Sequence, residues 1–294
     1  MSNILVSCSS NCSFGGLCML DTDTLSTKKV FKHSTMGFDF WNNLIVTASQ
    51  SSSQNDIGKS IKQHSIFLLD KENFTIKQEI PVSQWDMSDL HGLQVYRNRL
   101  YVVDTFNNRL MIFKMNLRNN KLELEPIMSW KDSLAIEKDS SHLNDVFIYN
   151  NEIYVSLFGR FERHREYERK KGKGCILNIT KCLSSNSNRK DCFDYKQRNL
   201  FDPHSIKIVK GEFYYCESAK SQLKKEGKII YQSERGYLRG FEYDNQKLFI
   251  GQSKSRHLPD SLSQSKLLII DSKSKNVIKE IEMPCDEIYQ IKKY

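Results

Sequence analysis

Short apolar runs separated by polar turns recur along the whole chain, and almost none sustains the 3.6-residue period of a helix. The clearest stretch is His91-Gly-Leu-Gln-Val-Tyr-Arg-Asn-Arg-Leu-Tyr-Val-Val-Asp-Thr-Phe-Asn-Asn-Arg-Leu-Met-Ile-Phe113. It predicts strands over 93–96, 100–103 and 109–114, broken by polar turns, with a fourth strand near 122–128. The same strand, turn and second strand recur at 37–47, 144–157, 205–216 and 240–250. Units start near residues 36, 91, 142, 204 and 239, an interval that fits propeller blades with variable loops. The ends supply a sixth unit. Glu287-Ile-Tyr-Gln-Ile291 matches a first strand without a second, and Ile4-Leu-Val-Ser-Cys8 a second without a first.

The expected architecture is all-β: a single six-bladed β-propeller domain over 1–294. Pairing the C-terminal strand (about 286–293) with the N-terminal strand (about 4–8) in one blade would close it and remove open sheet edges. Loop insertions are expected at about 51–63, 160–174 and 257–264, the second with room for a short helix.

Composition narrows the class. Hydrophobics at 39% and aromatics at 11% are enough for a packed core. No apolar run approaches the roughly 20 residues that span a bilayer, and no secretory leader is visible, so the expectation is a cytoplasmic chain without membrane insertion. The eight cysteines include no Cys-x-x-Cys pair and read as reduced thiols. Cys8, Cys12 and Cys18 crowd together, but their spacing fits no zinc pattern, and small buried hydrophobes are the simpler reading. The net charge of +9 concentrates in 160–174 and 220–228. Such stretches are either solvated loops or a basic rim that draws in an anionic substrate. No nucleic-acid-binding motif is visible.

The candidate chemistry lies in the first residue of each unit: Met36, His91, His142, His204, Arg239 and Glu287. Equivalent positions on successive inner strands would converge at one channel mouth. His91, His142 and His204 would bind one divalent metal ion there with Glu287, or each would simply bond backbone carbonyls and water. As a catalytic set, the same four residues would activate water or move a proton. Arg239, with Lys254 and Arg256 after the second strand of its unit, would hold an anion. Strand parity puts Asn144 on the face of His142 and Tyr289 on the face of Glu287, as further substrate contacts, with Asp145 pointing the other way. The same parity sets His204 and Ser205 on opposite faces, which argues against a serine nucleophile there.

The blade openings, with Tyr101-Val-Val-Asp-Thr-Phe-Asn-Asn-Arg109, resemble the NHL-repeat class of six-bladed propellers. A further set comprises His142-Leu-Asn-Asp145, Gly172-Lys-Gly-Cys-Ile-Leu-Asn178, Pro203-His204-Ser205, Arg239-Gly240, Gly251-Gln-Ser-Lys-Ser-Arg256 and Glu287-Ile-Tyr289. In that order it resembles a conserved bacterial six-bladed propeller family labelled only as a domain of unknown function. The resemblance runs from about residue 85 to the end and implies a fold but no reaction. Lactonase-like propellers hold a divalent cation with Glu, Asp and Asn. That likeness implies a partial counterpart in Glu287, Asn144, Asp104 and Glu217, although Asp104 reads more simply as a turn cap.

Two functions follow as expectations. One is an enzyme of hydrolase, lactonase or lyase type acting on a small anionic ligand, with no organic cofactor. The other is a binding propeller for a small molecule, glycan or protein partner.

Overall fold

The computed structural model describes residues 3–10, 15–54, 60–119, 121–184, 192–254 and 262–294. In chain order the strands are β1 (Asn3–Ser9), β2 (Gly16–Asp21), β3 (Thr27–Phe31), β4 (Ser34–Trp41), β5 (Leu44–Gln54), β6 (Ser60–Asp70), β7 (Ile76–Pro81), β8 (Leu90–Tyr96), β9 (Arg99–Asp104), β10 (Arg109–Arg118), β11 (Lys121–Lys131) and β12 (Leu143–Tyr149). They continue with β13 (Glu152–Leu157), β14 (Gly174–Asn178), β15 (Asp194–Leu200), β16 (Pro203–Val209), β17 (Glu212–Glu217), β18 (Gln222–Lys225), β19 (Lys228–Gln232), β20 (Tyr237–Asp244), β21 (Lys247–Ser253), β22 (Lys266–Asp271), β23 (Val277–Glu282) and β24 (Glu287–Lys293). Helix is confined, among the described residues, to α1 (Thr180–Ser184) and three short 3-10 turns.

The strands form six four-stranded sheets. Five are consecutive meanders, and the sixth has the order β24-β1-β2-β3. In it β1 pairs antiparallel with β24 from Ile4↔Lys293 to Ser9↔Glu287. This is the strand number, order and terminal pairing of a six-bladed β-propeller, with closure through the chain's two ends as the repeats require.

The chain groups into two compact units, one contiguous (residues 37–200) and one split (residues 1–36 with 201–294). In the contiguous unit, both faces of the sheet β8–β11 are buried. Leu100 and Val102 of β9 enter one apolar layer with Trp41, Val46 and Ile66. Tyr101 and Val103 enter a second layer with Val146, Val155 and Leu177. A strand buried on both faces has no polar side, which explains the unbroken run Leu100-Tyr-Val-Val103. The split unit repeats the device. Leu268 and Ile270 of β22 pack with Leu248 and Ile250, whereas Leu267 and Ile269 pack with Ile4, Val6 and Phe249.

The expected insertions resolve differently. Within 51–63, β5 and β6 continue as one long hairpin paired out to Gln54↔Ser60. Segment 160–174 is a connection with a single 3-10 turn at Glu166–Glu168. Residues 257–261 lie outside the described residues. The cysteine reading needs a correction: Cys182 and Cys192 form a disulfide, because α1 and the approach to β15 bring their Cα atoms to 4.9 Å. Cys8, Cys18, Cys175, Cys216 and Cys285 are buried and not in disulfides.

Candidate functional site

In the contiguous unit, β8 and β12 begin beside His91 and His142, and the connections after β9 and before β12 supply their partners. His91 Nδ1 lies 2.8 Å from Thr105 Oγ1 and 3.0 Å from the carbonyl of Asp89. Thr105 donates its one hydroxyl proton to the Leu143 carbonyl at 2.7 Å, so it can only accept from the ring. Nδ1 of His91 therefore carries a proton.

His142 has a positive φ of 45° and is held by a carboxylate instead. Its Nδ1 lies 2.8 Å from Asp139 Oδ1, and the other oxygen of Asp139 accepts from the Tyr167 hydroxyl at 2.9 Å. The ring is flanked by Phe158 and Tyr167, with centroids at 4.3 and 4.8 Å, and meets His91 edge-on at 5.3 Å. Asp139 is fixed by its own backbone: its N–H donates to Phe106 O at 2.8 Å, and its carbonyl accepts from Arg165 N at 3.0 Å. Burial alone would raise the Asp139 carboxyl, but the His142 and Tyr167 hydrogen bonds and the Arg165 charge hold it below the usual carboxylate range. Burial, and next the Asp139 charge, push the Tyr167 phenol up, so it stays a donor.

Asn144 does not follow the expected alternation. Leu143 pairs with Leu157 and Asp145 with Ser156, leaving Asn144 in a bulge that breaks the parity argument. Its Nδ2 is buried without a hydrogen-bond partner. Asp145 caps its neighbour's backbone, accepting from Val146 N at 2.9 Å. A Cβ on Gly92 would come within 2.8 Å of Asp145 Cα, so only glycine lets β8 and β12 approach this closely.

In the split unit, His204 Nδ1 lies 2.9 Å from the carbonyl of Asp202 and 2.8 Å from Ser218 Oγ, which donates to Leu238 O at 2.5 Å. His204 is thus also protonated on Nδ1. Its Nε2 accepts from Arg239 Nη2, and Arg239 Nη1 donates to Glu287 Oε2 at 3.0 Å. Tyr289 lies with its ring centroid 4.0 Å from the guanidinium carbon. Burial works against the Arg239 charge, but Tyr289, Glu287 and Tyr237 outweigh it, so the guanidinium stays charged. The expected anion clamp is therefore already engaged with Glu287 and His204. Lys254 is exposed just beyond β21, and Arg256 lies outside the described residues.

The carboxylates expected at second-strand ends have structural partners. Asp104 accepts from Ser88 N, Asn107 Nδ2 and Arg109 Nε at 3.1, 2.8 and 2.7 Å, which makes it a turn cap. Glu217 accepts from Phe201 N at 3.2 Å and pairs with Lys220 and Lys224. Ser205 Oγ accepts from Gly240 N at 2.7 Å. In the basic stretch, Arg160, Arg165 and Lys170 pair with Asp132, Glu168 and Glu166.

The metal reading of His91, His142, His204 and Glu287 does not fit these donors. His204 donates from one ring nitrogen and accepts an arginine proton on the other, which leaves no lone pair for a cation. Glu287 is bound to that arginine. Among the described residues, no group of three or more His, Cys, Asp or Glu side chains could hold a metal ion. Asp139, Tyr167, Thr105 and Ser218 are the site residues that strand-start reasoning misses. For Thr105 and Ser218 a signal was present, as Asp-x-His at Asp89 and Asp202 with a Thr or Ser fourteen residues after His91 and His204.

No family model matches the chain, and no curated protein matches it. Solved structures do. A chain of a nidogen–laminin complex is similar with a TM-score of 0.64 at 9% identity, covering 100% of this chain and 98% of that one. A candidate 6-phosphogluconolactonase from Bacteroides fragilis is similar with a TM-score of 0.57 at 10% identity, over 100% and 98%. Regucalcin, a calcium-binding protein from Agrobacterium tumefaciens, gives 0.55 at 11% identity, over 87% and 76%. At these identities the likeness shows the fold, a six-bladed β-propeller. No helix among the described residues is long and apolar enough to cross a membrane.

Proposed function

We propose that the chain is a hydrolase of ester or lactone bonds in which His142 is the general base and Asp139 orients it. The observation that carries this reading is the partly buried Asp139–His142 contact of 2.8 Å, with Tyr167 on the second carboxylate oxygen. The carboxylate fixes the Nδ1–H tautomer and stabilises the cation that forms when Nε2 takes a proton. His142 Nε2 removes a proton from water, and the water oxygen bonds to the acyl carbon. The acyl–oxygen bond then breaks, and the same proton passes to the leaving oxygen, giving an acid and an alcohol, or a hydroxy acid from a lactone. His91, with a proton on Nδ1, meets the His142 ring edge-on at 5.3 Å beside this step. A lactonase-like neighbour is consistent with this chemistry without assigning it.

The test is turnover of a panel of aliphatic lactones and aryl esters. The wild type should hydrolyse part of the panel, and His142→Gln should lose about 10²–10⁴-fold in kcat. A wild type that binds these compounds without turning any over would replace the enzyme with a binding propeller. Equal turnover by wild type and His142→Gln would remove the assigned base.

A further inference from the structure

We propose that Phe106, Leu134 and Ile136 form an apolar lip that binds the acyl or alkyl chain of the substrate handled by His142, an inference that rests on the hydrolytic reading. Loops facing water are ordinarily polar, and single exposed hydrophobics on strands need no explanation. Among the described residues, the large exposed hydrophobics off the strands are these three, at 40%, 42% and 69% exposure. The others stand on strands, as Ile76 on β7 and Ile278 on β23 do.

The three are confined to the two connections that build the histidine centre. Phe106 follows Thr105, the partner of His91. Leu134 and Ile136 precede Asp139, the partner of His142. Backbone and side-chain bonds tie the two connections together: Asp139 N to Phe106 O at 2.8 Å, Asn108 Nδ2 to Glu137 O at 2.8 Å, and Ser141 N to Asn108 Oδ1 at 2.9 Å. Phe106 is thus tied directly to the backbone of Asp139. Phe158 and Tyr167 flank the His142 ring itself, with centroids at 4.3 and 4.8 Å. An ammonium group sits at the lip as well, with Lys138 Nζ 5.6 Å from the centroid of the Phe106 ring. An apolar lip leading to a few fixed polar groups is the usual arrangement of a small-molecule site. The occupant that fits is an acyl compound with an extended hydrocarbon chain, its carbonyl at His142 and its chain on the lip.

The test is a chain-length series of straight-chain acyl lactones and aryl esters, run below the micellar range on the full chain. Wild-type kcat/KM should rise by about two- to fourfold per added methylene until the lip is covered. The Phe106→Ser, Ile136→Ser double variant should flatten that slope, and Ile278→Ser, on an outer strand, should keep it. Turnover without a chain-length slope, or a slope retained in the double variant, overturns the lip and leaves the hydrolytic reading standing. If nothing in the series is turned over, the hydrolytic reading falls and calorimetry with acetate, hexanoate and decanoate decides the lip. Affinity that rises with length and is lost in the double variant sustains it, and flat affinity overturns it.

Discussion

His91 and His204 are built on one plan and end in opposite states. Each follows an aspartate by two residues and points Nδ1 at that aspartate's carbonyl. Each also contacts a hydroxyl fourteen residues later that passes its own proton to a backbone carbonyl. The residue opening the next inner strand then decides the outcome. Beside His91 it is His142, which carries its own carboxylate. Beside His204 it is Arg239, which donates into Nε2 and is tied to Glu287. A second imidazole keeps acid–base capacity in the pair. A guanidinium has donors only and does not titrate in the working range, so it fixes His204 as a structural acceptor. The chemistry of a histidine here depends on its neighbour more than on its own position.

The largest effect that separates the two centres is catalytic. His142→Gln should cost about 10²–10⁴ in kcat, whereas His204→Gln should act mainly by lowering the melting temperature. Equal losses of turnover at both sites would end the distinction. Next is stability. Arg239→Met strands a partly buried carboxylate at Glu287 and leaves His204 Nε2 without its donor. The expected cost is about 2–4 kcal/mol, read as a lowered urea midpoint at unchanged m-value, and the Arg239→Met, Glu287→Gln pair should recover part of it. An unchanged midpoint would mean that the arginine holds nothing together.

A third effect depends on pH. Folding lowers the Asp139 carboxyl below its unfolded value, so its contribution is complete above the unfolded value of about 4 and is lost as pH falls through the lower folded value. The stability difference between wild type and Asp139→Asn should therefore be constant from about pH 7 to 5 and shrink below about pH 4. A difference that persists unchanged into strong acid would contradict an ionised Asp139 in the folded state. The smallest effect is expected from Thr105→Val, about 1 kcal/mol, with ¹⁵N spectra of His91 shifting from a single Nδ1–H form towards a mixture. Ser218→Ala should leave His204 in one form, because Arg239 still dictates its tautomer.

Most strands were legible because each inner strand opens on a recognisable residue and both faces of the middle strands are apolar. The strand pair expected over 144–157 forms as Leu143–Tyr149 and Glu152–Leu157, and the pair expected over 205–216 as Pro203–Val209 and Glu212–Glu217. The site was legible only in part. His142 and Arg239 stand at strand starts and could be picked out, but Asp139 lies in the preceding connection, where no periodicity marks it. Bulges at 90/93, 143/145 and 238/241 undo the two-residue alternation on which the placement of Asn144 relied. The disulfide between Cys182 and Cys192 depends on how α1 is positioned, which their spacing does not encode.

The pairing of β1 with β24 also sets an order of assembly. Ser7 Oγ accepts from the backbone N–H of Gln290, 283 residues away in sequence. The strands of residues 37–200 find their partners within one stretch of chain and can pair as it emerges from the ribosome. The first three strands have no such freedom. Their sheet stays one member short until β24 has been made, leaving the edge of β1 open until then. The split unit is therefore expected to complete its pairing later and to be the more aggregation-exposed part of the molecule meanwhile.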